Sequence, residues 1–111
     1  MQPRDKAYLH DILVSIDSIF DYLGENTTLA DYQANKQLRR AVEREIEIIG
    51  EAVSKLLKTN PTISIENARQ IVNTRNWVIH SYDTVDDIII WGIVKKHLPR
   101  LRTEADLLLK A

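Results

Sequence analysis

Leu38-Arg39-Arg40-Ala41-Val42-Glu43-Arg44-Glu45-Ile46-Glu47-Ile48-Ile49-Gly50-Glu51-Ala52-Val53-Ser54-Lys55-Leu56 is the longest clearly amphipathic stretch of the chain. Leu38, Ala41, Val42, Ile49, Ala52, Val53 and Leu56 fall on one side of a 3.6-residue period, and Arg39, Arg40, Glu43, Arg44, Glu47 and Glu51 fall mostly on the other. The pattern predicts a helix from about Asn35 to Lys58, stopped by Asn60-Pro61. Pairs of opposite sign at i, i+4, Arg40 and Arg44 against Glu43 and Glu47, are expected to lace its outer face.

Working outward, Tyr8, Ile12, Ile16, Ile19 and Leu23 make one apolar stripe, widened by Leu9, Leu13 and Phe20, over residues 5–23. Gly24 follows where a left-handed residue closes a helix. Asp11, Asp17 and Asp21 read as solvated outer-face charges. Thr28 and Asp31 have the spacing of a capping box, with Asp in the place of Glu or Gln. Beyond Pro61, Ser64 is a good N-cap, and Ile65, Ala68, Ile71 and Val72 carry an apolar face to about His80–Tyr82. Asp83 or Thr84 is expected to cap the next helix, with Asp86 and Asp87 in its first turn, where the dipole favours anions. Pro99 should kink or break it, and residues 100–110 resume with Leu101, Ala105, Leu108 and Leu109. Gly50 and Gly92 interrupt strong helical patterns, which points to close approaches between helices.

The result is one all-α domain spanning residues 1–111, a four- to five-helix up-and-down bundle. Ile88, Ile89, Ile90, Trp91, Ile93 and Val94 cannot all face one small core, so a second subunit is expected to cover the helix that carries them.

Composition removes whole classes of function. The chain has 111 residues, no Cys, three Gly, three Pro and a net charge of −1. Disulfides and thiolate metal sites are excluded, and a reducing cytosol is the expected compartment. No run approaches a membrane span, and the first eleven residues lack a secretory apolar core. A globally basic nucleic-acid surface is excluded too, so any phosphate contact is local.

Chemistry concentrates in Arg75-Asn76-Trp77-Val78-Ile79-His80-Ser81-Tyr82. On a helix Asn76 and His80 share a face, and Arg75 and Tyr82 differ by about 20°. Arg75 and His80 lie about 140° apart, so they converge only if the helix frays near His80 or a second chain completes the site. Arg75 offers a permanently charged fork matched to phosphate oxygens. His80 exchanges a proton near neutrality. The pair suits metal-independent RNA cleavage. The imidazole would take the 2′-hydroxyl proton or protonate the leaving oxygen, and the guanidinium would stabilise the charge that builds on phosphorus. On composition alone a helix-end His and a paired Arg explain the same residues without catalysis. His10 and His97 lie on distant helices and no H-x-x-x-H cluster appears, so no metal or cofactor is expected. Ser81 lacks the setting of a nucleophile.

Arg75-x4-His80-x-Tyr82 resembles the R-x4-6-H motif of HEPN domains, in the R-x4-H-x-Y form of the HepT-like toxins. Ile48-Ile49-Gly50-Glu51-Ala52, Asn76 after the Arg, Tyr82-Asp83-x-Val85-Asp86, Trp91 and Leu98-Pro99-x-Leu101 extend the likeness over essentially the whole chain. The resemblance implies a dimerising bundle with two motifs at a shared cleft. It also implies an endoribonuclease toxin neutralised by a minimal nucleotidyltransferase antitoxin. By position Arg75 and His80 take the catalytic roles, Asn76 a supporting one, and Tyr82 that of the tyrosine the antitoxin adenylylates. Glu47 and Glu51 share a stripe and are either partners of Arg75 inside the bundle or two surface carboxylates. Lys95, Lys96, Arg100 and Arg102 form a basic run without acids, the candidate RNA track. The other function that fits is a non-catalytic module that docks a nucleotidyltransferase. Growth arrest on expressing this chain alone separates the two.

Overall fold

The computed structural model describes residues 1–80 and 86–111. In chain order it forms α1 (Pro3–Leu23), α2 (Leu29–Ala34), α3 (Lys36–Thr59), α4 (Ala68–His80), α5 (Asp87–Gly92), a π-helical turn (Ile93–His97) and α6 (Leu98–Lys110). The described residues contain no strand, and the all-α bundle is as expected. None of these helices is long and apolar enough to cross a membrane.

The amphipathic stretch sits at the centre. α3 packs against α1 on one flank and α4 on the other, and α1 also packs on α6. The stripe of α1, with Leu9, Ile12, Ile16 and Ile19, is fully buried against Val42, Ile49, Val53 and Leu56 of α3. Arg40 pairs with Glu43 and Arg44 with Glu47, each at 3.1 Å and three residues apart where four was expected; Glu43, expected on the outer face, is buried.

Helix ends follow local chemistry. Thr28 Oγ1 accepts from the Asp31 amide, and the Asp31 carboxylate accepts from the Thr28 amide, completing the expected capping box. The Thr28 amide holds the Asp31 carboxyl below its ordinary pKa. Asn35 caps α3 and Gly24 closes α1 at φ 66°.

Three boundaries differ from expectation. α4 starts at Ala68, not near Ser64. Ile63 and Ile65 are both buried as anchors of a turn, and the Glu66 amide bonds Glu104 of α6. Asn67, at φ 62°, then turns the chain into the helix. The cap of α5 is Asp86, whose carboxylate accepts from the Ile88 and Ile89 amides; the expected caps, Asp83 and Thr84, lie outside the described residues. Pro99 leaves no gap in the helical backbone. The α pattern widens at Ile93–His97, where the Leu98 amide reaches the Ile93 carbonyl. Pro99 then falls in the first turn of α6, where a missing N–H costs least.

Asp17 is not a free surface charge. Arg102 of α6 grips both its oxygens, at 2.7 and 3.1 Å, tying α6 to α1. The Arg102 hydrogen bond holds the Asp17 carboxyl below its ordinary value. A depressed folded-state pKa means the contribution is complete above the unfolded value of about 3.9 and disappears as pH falls through the folded one. The pair is half exposed, so it is worth up to about 1 kcal/mol. Asp17→Asn should therefore lower the melting temperature by a few degrees at pH 7. Melts taken across the acid range should show the gap from wild type closing below the ordinary carboxylate range.

Candidate active site

Arg75 rises from the middle of α4 directly over Gly50 of α3. A Cβ built on Gly50 would lie 2.1 Å from the Arg75 Cβ and 2.7 Å from its Cγ. The expected close approach of helices at Gly50 is therefore real, and what crosses the bare Cα is the Arg75 stem. Gly92 differs: a Cβ there meets nothing within 4 Å, so the expected close approach is not found there among the described residues.

Seated this way, the guanidinium is fixed at its root and incompletely satisfied at its head. Nη1 donates to Asn76 Oδ1 at 2.8 Å, while Nε is buried and has no partner among the described residues. A buried donor left unpaired costs about 1–3 kcal/mol, more when charged. Asn76 and His80 are exposed on the same helix. α4 is helical through His80, so Arg75 and His80 leave it about 140° apart. Tyr82 lies outside the described residues.

The carboxylates weighed as partners of Arg75 are elsewhere. Glu47 is paired with Arg44 at 3.1 Å and Glu51 with Lys55 at 3.4 Å, both on the outer face of α3. The basic run is divided as well. Arg100 is held by Glu66 at 2.9 Å and Arg102 by Asp17. Lys95 lies over the Trp91 ring, 4.7 Å from its centroid. Lys96 is exposed and has no ion pair among the described residues. Two of the four cations thus tie elements together, a role their spacing does not reveal. No three His, Asp or Glu side chains among the described residues converge as metal ligands would.

A family model described as "Ribonuclease HepT-like" matches residues 12–108. The chain belongs to the HepT-like ribonuclease family. A "Putative RNase" of Methanocaldococcus jannaschii is 34% identical over 110 residues, covering 96% of this chain and 99% of its own length. A second "Putative RNase" of the same organism is 33% identical over 115 residues, covering 99% and 92%. A "Probable ribonuclease HepT" of Thermococcus cleftensis is 32% identical over 111 residues, covering 99% and 100%. No solved structure matches the chain significantly.

Within this HepT-like bundle a second polar region adjoins α5. Tyr32 of α2 is buried, its ring centroid 5.6 Å from that of Trp91, and its hydroxyl has no partner among the described residues. Burial first, then the Glu43 and Asp87 charges, push the phenol well above its ordinary pKa. Burial also raises the Glu43 carboxyl, against the opposing pull of Arg40. No motif marks these residues, because burial of Tyr32 depends on α5 folding back over α2. A cleft between α3, α4 and α6, which Ile49, Ile71 and Thr74 help to line, is equally invisible to motif spacing.

Proposed function

We propose that the chain is a metal-independent endoribonuclease acting as the toxin of a toxin–antitoxin pair. The observation that carries the reading is Arg75, a permanent cation seated over Gly50 and without an ion pair among the described residues, its guanidinium oriented by Asn76 and five residues from an exposed His80. The phosphodiester oxygens would pair with the outer end of that guanidinium, which Asn76 orients. His80 removes the 2′-hydroxyl proton or protonates the leaving oxygen, and the guanidinium steadies the charge that accumulates on the phosphoryl oxygens. Membership of a ribonuclease family and the names of the relatives support the reaction class. The direct test is RNA cleavage by the purified chain in excess chelator; loss of cleavage with chelator overturns the mechanism.

The working unit in this reading is a homodimer. Two observations favour it: the helical register that separates Arg75 from His80, and the solvent-facing side of α5. Ile90 is fully buried, yet Ile88 and Ile89 are 61% and 52% exposed. A second copy would cover them and bring its own His80 toward Arg75. Light scattering at low micromolar concentration is expected to give the mass of two chains, and Ile88→Asp with Ile89→Asp to give one. A monomeric wild type overturns the dimer.

The antitoxin in this reading is a small nucleotidyltransferase that adenylylates Tyr82. A bulky anion two residues beyond His80 would occupy Arg75 and exclude the RNA phosphate by charge and volume. Of the other tyrosines, Tyr32 is 1% exposed and Tyr22 is exposed with its hydroxyl on Glu45. After co-expression with the antitoxin, intact-protein mass spectrometry should show one adenylate on wild type and none on Tyr82→Phe. Adenylate mapped to Tyr8 or Tyr22 instead would sink the assignment.

A further inference from the structure

A cleft of about 130 Å³ opens between α3, α4, the π-helical turn and α6. Its floor is aliphatic, with Ile49, Ile71, Ile93 and Leu101. The mouth holds two kinds of polar group. Glu66, Arg100 and Glu104 are already engaged: Glu66 with Arg100, and Glu104 with the Glu66 amide. Asn67, Gln70 and His97 also line it, and their side chains make no hydrogen bond among the described residues.

The position of the cleft is specific. Ile71 stands one helical turn before Arg75, and Ile49 immediately precedes the Gly50 on which Arg75 rests. One turn advances about 5.4 Å, the scale of a single nucleotide. The size is specific as well. An apolar cavity of roughly 150 Å³ accommodates benzene, so this space suits one flat ring. Its mouth carries two carboxylates against one guanidinium, which disfavours a phosphate and tolerates a neutral ring with a polar edge.

We propose that this cleft receives the base of the nucleotide whose phosphate sits on Arg75, with Gln70, Asn67 and His97 reading its edge. The inference rests on the ribonuclease reading and adds to it a base preference beside the cut. Single-stranded RNA is commonly read through splayed-out bases hydrogen-bonded on their edges, and here His97 and the aliphatic floor would hold the ring.

Two measurements test it. The first follows the Ile71 and Ile93 methyl signals by NMR while the full chain is titrated with the four ribonucleoside monophosphates, and with ribose 5-phosphate as a control without a base. The aromatic base is expected to shift both methyls, and the control to leave them in place. Absence of a shift, or an equal shift with ribose 5-phosphate, overturns the proposal even if the chain cleaves RNA. The second maps cut sites on an RNA pool randomised in sequence. Gln70→Ala and His97→Ala should each reduce the preference at one position beside the cut by about fivefold or more, leaving the melting temperature unchanged. An unaltered preference in both variants also overturns it. If the wild type cuts nothing while the base-dependent shifts remain, the ribonuclease reading fails and the base site stands.

Discussion

Arg75→Ala should lower RNA cleavage by about a hundred- to a thousandfold, the effect of removing one preorganised charge from a developing oxyanion. His80→Ala should lower it by about a hundred- to ten-thousandfold, the usual range for losing a positioned acid or base. Neither loss is expected to follow from unfolding. His80 is exposed at the end of α4, and truncating Arg75 removes a buried donor that has no partner among the described residues. Arg75→Lys keeps a stem over Gly50 but loses the fork, so it should recover little. Mixing the two inactive variants adds a sharper result. If each site takes Arg75 from one chain and His80 from the other, random reassortment restores roughly a quarter of wild-type activity, since half the dimers are mixed and each has one intact site. If both groups come from the same chain, the mixture stays inactive. Steady-state cleavage of a fluorogenic RNA reads all of these. Wild-type rates in His80→Ala would end the mechanism.

Gly50→Ala should be among the most damaging small substitutions in the bundle. Ala is ordinarily the better helix former by about 1 kcal/mol. Here its Cβ would sit 2.1 Å from the Arg75 Cβ, an atom next to the backbone that cannot swing aside. α3 and α4 must separate, and overpacking of this kind costs about 1–3 kcal/mol or more. The clash exceeds the propensity gain, so thermal melts should show a loss of several degrees. Cleavage should fall further than stability does, because the displaced atom is the root of the guanidinium proposed to meet the phosphate. Arg75→Gly placed in the Gly50→Ala background removes the facing Cβ and should return part of the stability without returning activity. Gly92→Ala, whose Cβ meets nothing in the single chain, is the contrast: it should leave the monomeric fold unharmed. A Gly50→Ala protein as stable and active as wild type would mean that the two helices do not approach as described.

The periodicity of α1 and α3 was enough to determine that the chain is helical, where those helices run and which faces they bury. That information is local, since side chains three and four apart share a face whatever the rest of the molecule does. The placement of Arg75 and His80 on one helix, about 140° apart, was legible for the same reason. Gly50 announced a close approach, because few other reasons place a glycine in the middle of a strong helix. Its partner, the Arg75 stem, was a matter of how α3 and α4 cross, which no spacing along one helix contains. Local signals also misled where a tertiary contact outbid them. Ser64 is a sound cap, but two buried isoleucines and a bond from Glu104 hold that segment as a turn until Asn67. Arg100 and Arg102 look like free cations in a run without acids, yet their partners, Glu66 and Asp17, stand 34 and 85 residues away in sequence. Glu47 and Glu51 were left between two roles, and the rotation of α3 about its axis put both on the outer face with Arg44 and Lys55. The buried Nε of Arg75 and the cleft lined by α3, α4 and α6 exist only once the helices are packed together, because burial and empty space belong to the assembled bundle and not to any one of its helices.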